Sequence, residues 1–311
     1  MATYLVTGVA GFVGSNLARA LLGRGHVVHG IDNFATGKRD NLVGLTSLRF
    51  HEGDINDTAV LSKVLRGVDF VLHQAAIPSV PRSVAEPMVC HQANVTGTLS
   101  VLEACRAAGV ARVVYAASSS AYGDTDVLPK HEAMVPAPLS PYAVAKLAGE
   151  YYCQVYSRVY DLPCVVLRYF NVFGPYQDPA SRYAAVIPKF VQCLLRGEPP
   201  PIFGSGEQTR DFTFIDNVVE ANLAACVAPE AGGEVFNVAC GARVSLLRLL
   251  EVLQELLRTD VLPARLPTRP GDVQHSLADI TKAQKLLGYR GGIGLREGLA
   301  RSIAWYRENL S

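Results

Sequence analysis

The feature that most constrains the fold is a set of six short, nearly continuous apolar runs separated by helical patterns. The runs are 4–8 (YLVTG), 27–32 (VVHGID), 48–54 (LRFHEGD), 69–76 (DFVLHQAA), 112–118 (RVVYAAS) and 164–171 (CVVLRYFN). Apolar runs without regular polar alternation belong to strands buried on both faces. Stretches such as 15–25 and 94–109 carry helical periodicity between them. Strand–helix alternation specifies an α/β chain with a Rossmann-type, doubly wound parallel sheet. Beyond about 175 the alternation loosens, and Pro and Gly cluster at 198–207 and 266–272. Helices are expected at 184–196, 216–228, 245–258 and 294–308. The expected division is a first domain of 1–174, with a segment at about 210–250 returning to it, and a smaller C-terminal substrate domain of 175–209 and 251–311.

Charge excludes some functions. With 29 basic and 28 acidic residues the net charge is +1, which leaves no electrostatic footprint for nucleic acid or a membrane surface. The seven cysteines are odd in number and show no CxxC spacing, which fits reduced thiols rather than a disulfide framework or a metal site. The run MATYLVTG lacks the basic and apolar regions of a secretion signal, and no segment has the length of a membrane span. A cytoplasmic, soluble protein is expected.

The first apolar run ends in Gly8-Val-Ala-Gly11-Phe12-Val13-Gly14 and passes into a helical pattern. A glycine turn there lets backbone N–H groups approach a pyrophosphate, with the helix N-terminus stabilising its charge. Asp32 closes the second run, 18 residues beyond Gly14, where a carboxylate bonds the ribose hydroxyls of NAD and repels a 2′-phosphate. Lys38 and Arg39 lie close by in sequence and keep NADP open as an alternative. Gly8, Asp32, Asp54, Ala75, Ala76, Ser118 and Asn171 all fall at or just past the carboxyl ends of expected strands, the edge along which open α/β sheets bind ligands. Asp54 suits the adenine end of a dinucleotide; its alternative role is a cap before Asn56.

Ser140-Pro141-Tyr142-Ala-Val-Ala-Lys146 reads as a helix start, with Ser140 as N-cap and Pro141 at the first helical position. Tyr142 and Lys146 are i and i+4 and share one face. An ammonium beside a phenol, with a cationic nicotinamide close by, stabilises the phenolate, so the two together are expected to lower the Tyr142 pKa and fit it to remove a hydroxyl proton. The alternative is a surface pair on an amphipathic helix. Ser118-Ser119-Ser120 closes the fifth run, and a hydroxyl there could share the substrate's proton with Tyr142.

Together Gly8/Gly11/Gly14, Asp32, the Ser118 run and Tyr142/Lys146 resemble the extended short-chain dehydrogenase/reductase family over essentially the whole chain. LRYFNVFGP (167–175), AVIPKF (185–190), GSGEQTRDF (204–212) and RPGD (269–272) narrow the resemblance to the nucleotide-sugar epimerases and their relatives. The resemblance implies catalytic roles for Tyr142, Lys146, Ser118 and Ser119. It implies NAD contacts at Gly8, Gly11, Phe12, Val13, Gly14, Asp32, Asn33, Gly37, Asp54, Ile55, Ala75, Ala76, Asn94, Tyr142, Lys146 and Tyr169. It places the UDP portion against Asn171, Ala185, Val186, Lys189, Phe190, Ile202 and Phe203. Arg210 and Arg269 would hold the diphosphate, a task suited to the planar guanidinium fork. Asp272 would hold the uridine ribose, and Ser79, Ser118, Ser120 and Tyr142 the sugar. Relatives of this type commonly form homodimers through helices equivalent to about 94–108 and 141–160.

Two further implications concern the reaction and the sugar. Dehydrating and decarboxylating relatives carry a carboxylate just before the Tyr-Gly of the serine loop, whereas Ser119 and Ser120 stand here. Simple 4-epimerisation is therefore favoured over those reactions. A bulky Tyr four residues past the Asp of the RxGD-like motif crowds a 2-acetamido group, and here that position is Ser276. HQAAIPSVPRS (73–83) also resembles epimerases that prefer UDP-N-acetylglucosamine, although Pro78 departs from the expected Gly. The expected substrates are UDP-GlcNAc and UDP-GalNAc, with UDP-glucose and UDP-galactose also admitted. Another enzyme on this scaffold, such as a UDP-glucuronate epimerase or a reductase, and a non-catalytic dinucleotide sensor remain alternatives.

Overall fold

A computed structural model describes residues 1–178, 185–268 and 274–309. The apolar runs form β1 (Thr3–Thr7), β2 (Val27–Asp32), β3 (Arg49–Glu52), β4 (Phe70–His73), β5 (Arg112–Ser118) and β6 (Cys164–Tyr169). A seventh strand, Val235–Val238, pairs with β6, and the order across the sheet is Val235–Val238, β6, β5, β4, β1, β2, β3. Every pairing is parallel. The chain winds one way from β1 through β2 to β3 and the other way from β4 onward, so the strand direction of winding reverses between β1 and β4. That reversal opens a crevice at the carboxyl edge, the usual ligand position in such sheets.

The continuous apolar character of the strands follows from burial on both faces. In β1, Tyr4 and Val6 enter one core while Leu5 enters the other. In β6, Val165 and Leu167 join the first core, and Cys164 and Val166 the second. This is the period of two expected for a strand between two helical layers. The first core also receives the helices Val186–Leu195, Ile215–Val227, Leu246–Leu257 and Leu295–Asn309. All four lie within a residue or two of their expected positions.

Differences at strand ends have local causes. β4 stops at His73 rather than Ala76, because the chain turns there to bring Ala75 against Gly8. β6 stops at Tyr169, and Asn171 takes a left-handed φ of 33°. Residues 80–91, to which the sequence analysis assigns no helix, form two short ones, Val80–Ala85 and Pro87–His91. Both begin with a proline in the first turn. They lead through a π-helical turn, Gln92–Thr96, into the helix Gly97–Ala108. Three two-stranded pairs lie outside the main sheet: Val172–Phe173 with Thr213–Phe214, Thr209–Arg210 with Val244–Ser245, and Pro201–Phe203 with Ala264–Leu266. No helix among the described residues is long and apolar enough to cross a membrane.

Candidate active site

The glycine turn is a backbone cradle. Gly8 has φ +67° and lies so close to the β4 loop that a Cβ would sit 2.8 Å from the Ala75 backbone. A Cβ on Gly14 would run into the Gly8 carbonyl oxygen. Neither position has room for a side chain, which leaves this loop open to a pyrophosphate at the N-terminus of the helix Phe12–Gly23. Asp32 supports the loop from below: its carboxylate accepts N–H bonds from Ala10 (2.9 Å) and Phe34 (2.8 Å). Burial pushes the Asp32 carboxyl up, and those two bonds pull against it. Gly37 packs against Asp32 and Ala10, where a Cβ would be crowded.

Around this cradle the expected adenine-end residues assemble. Asn33 donates to Asp54 at 2.8 Å, and Asp54 also accepts the N–H and side-chain amide of Asn56. Burial raises the Asp54 carboxyl, but these bonds outweigh it and leave the pKa below the usual value. Asp54 therefore both closes a local turn and faces Asn33. Ile55 is buried. Lys38 pairs with Asp178 at 2.7 Å, and Arg39 with Glu52 at 2.6 Å while stacking on Phe34. Both cations that kept NADP open are thus engaged with carboxylates.

At the centre of the crevice a polar chain fixes the β4 loop. Ala75 N–H donates to Thr7 Oγ1 (3.2 Å), Thr7 meets His73 Nδ1 (2.7 Å), and His73 Nε2 meets Thr98 Oγ1 (3.0 Å). Thr98 donates onward to the Asn94 carbonyl at 2.7 Å, so it must accept from His73 and the imidazole proton lies on Nε2. Full burial, with Lys146 nearby, drives the His73 pKa down to about 3 and keeps the ring neutral. Asn94 clamps Ile77, its amide bonding both the N–H (2.8 Å) and the carbonyl (3.2 Å). Tyr169 hydroxyl bonds Gln74 and Asn222. These two expected cofactor residues brace the walls of the crevice with their polar groups.

The helix Pro141–Val159 begins as the sequence indicates, with Ser140 Oγ accepting from Ala143 N–H at 3.2 Å. Lys146 is buried, and its ammonium donates to the Ala116 carbonyl at 2.8 Å above the Tyr115 ring. Burial lowers its pKa to about 8. Tyr142 lies against Ser118 at the end of β5. Burial pushes its phenol up to about 12, with a hydrogen bond from Ser118 working downward and Cys90 upward. The direction is opposite to the one expected from Lys146 alone, because desolvation dominates and the ammonium is directed to Ala116. Ser118 caps the short turn Ser119–Tyr122, accepting from the Ser120 N–H and hydroxyl.

The far wall carries the expected substrate residues. Asn171 donates to the Asp211 carbonyl at 3.1 Å. Arg210 Nη1 bonds the Thr209 and Gln274 carbonyls. Ser276 is buried, and its N–H donates to the Thr209 carbonyl, so it lies beside Arg210. Ser79 is half-buried and caps the helix Val80–Ala85 through Arg82 N–H. Ala185 precedes the helix Val186–Leu195, on which Lys189 meets Gln192. Phe190 and Ile202 are almost wholly enclosed in the first core and offer a ligand little surface, whereas Phe203 is half-buried. Ala76, Phe12 and Val13 are also half-buried. Arg269 and Asp272 lie outside the described residues.

One residue of this wall escaped the sequence analysis. Asp211 is fully buried and accepts N–H bonds from Cys240 (3.0 Å), Gly241 (3.1 Å) and Ala278 (3.2 Å). Burial raises its pKa to about 6 against the pull of these bonds. Its position next to Arg210 in the sequence is the only local signal.

Comparison with known proteins agrees with this geometry. The family model for the NAD dependent epimerase/dehydratase family matches residues 4–239. The chain belongs to that family. Among its members, the UDP-glucose 4-epimerase of Mycolicibacterium smegmatis is 39% identical over 97% of this chain and 98% of its own. The UDP-N-acetylglucosamine 4-epimerase of Methanobrevibacter ruminantium, solved with UDP-N-acetylmuramic acid, superposes with a TM-score of 0.92 at 38% identity, covering 99% of this chain and 98% of that one. The UDP-glucuronic acid 4-epimerase of Bacillus cereus, solved with UDP-glucuronic acid and NAD, gives 0.91 at 36% identity, covering 98% and 99%. The resemblance read from the motifs, the Rossmann-type sheet and the NAD cofactor are thereby borne out.

The buried lysine leads to a prediction about stability. A Lys whose pKa falls from 10.5 to about 8 on folding binds fewer protons than the unfolded chain between those values. Stability must therefore rise with pH across that window. Lys146→Met is expected to be more stable than the wild type at pH 7, with the difference shrinking from about pH 8 to 10.5. Urea denaturation at several pH values checks this; a pH-independent difference would refute it.

Proposed function

We propose that this chain is an NAD-dependent UDP-sugar 4-epimerase whose preferred pair is UDP-GlcNAc and UDP-GalNAc, with UDP-glucose and UDP-galactose as further substrates. The observation that carries the reaction type is the pairing of Tyr142 with Ser118 beside a serine turn, Ser119–Tyr122, that supplies no carboxylate. Bound NAD supplies an acceptor and donor of hydride for sugar C4. The protein's residues manage the proton. Tyr142 removes the proton of the 4-hydroxyl, with Ser118 hydrogen-bonded to the phenol. Lys146, held by Ala116, keeps a positive charge close to the developing phenolate. After the 4-keto sugar turns its other face to the cofactor, Tyr142 returns the proton to the new 4-hydroxyl. The cycle has no net redox change.

Support for the acetamido sugar comes from the small Ser276 beside Arg210. Pocket volume discriminates modestly, on the order of 1–3 kcal/mol for a small group, so dual specificity is consistent with this design. We assign the first domain to NAD and segments 175–209 and 251–311 to the nucleotide sugar. The free cysteines, six of them buried, suit a reducing cytoplasm. The helix Pro141–Val159 exposes Val144, Tyr151, Val155 and Val159 at helical spacing. Together with Gly97–Ala108 it forms the homodimer face.

Four measurements test these assignments. Purified protein incubated separately with UDP-GlcNAc, UDP-glucose and UDP-glucuronate, with products resolved by chromatography, is expected to form UDP-GalNAc fastest without net NADH. Tyr142→Phe is expected to abolish turnover while retaining NAD; undiminished activity sinks the mechanism, and preference for UDP-glucuronate sinks the sugar assignment. Ser276→Tyr is expected to lose UDP-GlcNAc activity and keep UDP-glucose activity, and equal loss on both refutes the Ser276 argument. Light scattering is expected to give twice the 33.4 kDa chain mass, with Val155→Asp shifting it to the single-chain value.

A further inference from the structure

The first turn of the helix that carries Tyr142 has backbone donors that no earlier turn can satisfy. Pro141 has no N–H. Ala143 N–H goes to the Ser140 hydroxyl and Val144 N–H to the Ser140 carbonyl. The remaining donor, the N–H of Tyr142 itself, goes to Ser83 Oγ at 3.1 Å, from 59 residues earlier in the chain. Ser83 is fully buried, and its hydroxyl proton is committed to the Val80 carbonyl at 2.7 Å. The oxygen is thus left as an acceptor, aimed at Tyr142. Ser83 sits in the helix Val80–Ala85, whose N-cap is Ser79.

We infer that Ser83 is a positioning residue for Tyr142, joining the Ser79 loop to the backbone of the proposed base. The inference rests on the epimerase reading of Tyr142. The bond fixes the Tyr142 main chain at the point where its side chain departs, so the phenol meets Ser118 and the sugar 4-hydroxyl without searching. It also ties the base to the loop expected to touch the sugar. Displacement of that loop and displacement of the base are then one motion. Removing the hydroxyl leaves a buried N–H unpaired and frees the first turn to shift.

Ser83→Ala in the full-length enzyme is expected to lower kcat roughly tenfold, the scale at which small misplacement of a reacting group is felt. KM for the UDP-sugar and the amount of NAD retained are expected to stay within about twofold, since Ser83 belongs to neither set of contacts. The pH limb of kcat assigned to the base should move upward, because the phenol loses the lowering influence of Ser118. Ser83→Cys, which keeps nearly the same volume and a weak acceptor, should lose less and provides the measurement if the alanine variant does not fold. Unchanged kcat, or parallel loss of kcat, UDP-sugar affinity and NAD, overturns the inference. Wild type and Tyr142→Phe are measured alongside. Failure of the wild type on UDP-GlcNAc, UDP-glucose and UDP-glucuronate alike removes the epimerase reading and this inference with it. Turnover that needs Tyr142 but ignores Ser83 removes only the inference.

Discussion

The geometry of the candidate site depends on a buried ion pair beneath it. Arg168 of β6 grips Glu150 of the helix Pro141–Val159 through two bonds, 3.0 and 2.6 Å, with both side chains 2% exposed. Glu150 lies one turn beyond Lys146. The guanidinium also lies under the ring of Tyr122, in the turn that follows Ser118. Tyr122 hydroxyl bonds Asn237 of the seventh strand at 2.7 Å. One cation therefore fixes the helix Pro141–Val159, the serine turn and two adjacent strands relative to one another. Loss of one partner from such a pair generally costs about 3–5 kcal/mol, because the other charge stays buried. The pair is better understood as a device for register than as a source of net stability.

The same trade between stability and position recurs at Lys146 and Tyr142. Lys146 is buried and Tyr142 half-buried, and desolvation drives their pKa values apart, the lysine down to about 8 and the phenol up to about 12. Neither shift favours the charged pair that proton transfer needs.

The sheet and the placing of Tyr142 and Lys146 on the first turns of one helix were legible in the sequence because each is encoded locally. Strand burial appears as unbroken apolar runs, the pyrophosphate turn as spaced glycines, and the Tyr142–Lys146 pair as an i, i+4 spacing after Ser-Pro. What was not legible depends on partners far apart in the chain. Ser83 gains its meaning from Tyr142, and Asp211 from residues at 240, 241 and 278. The upward push of desolvation on Tyr142 was not legible, because a helical spacing carries no information about burial. No motif reveals that the Asn94 amide bonds Ile77 or that the Tyr169 hydroxyl bonds Gln74 and Asn222. The short helix after Ser79 did have a local signal: a serine cap with proline in the first turn.

Asp211 has a consequence for how substrate preference can be altered. Its single carboxylate gathers main-chain N–H groups from two remote segments, one of which follows directly on Ser276. Those segments are held to one point in the structure. Transplanting the stretch around Ser276 from a relative would import a foreign backbone path at Ala278 and break the gather, whatever side chains came with it. A substitution at Ser276 that keeps this backbone path leaves the Asp211 bonds in place, whereas any change that moves the main chain at Ala278 is felt at Cys240 and Gly241 as well.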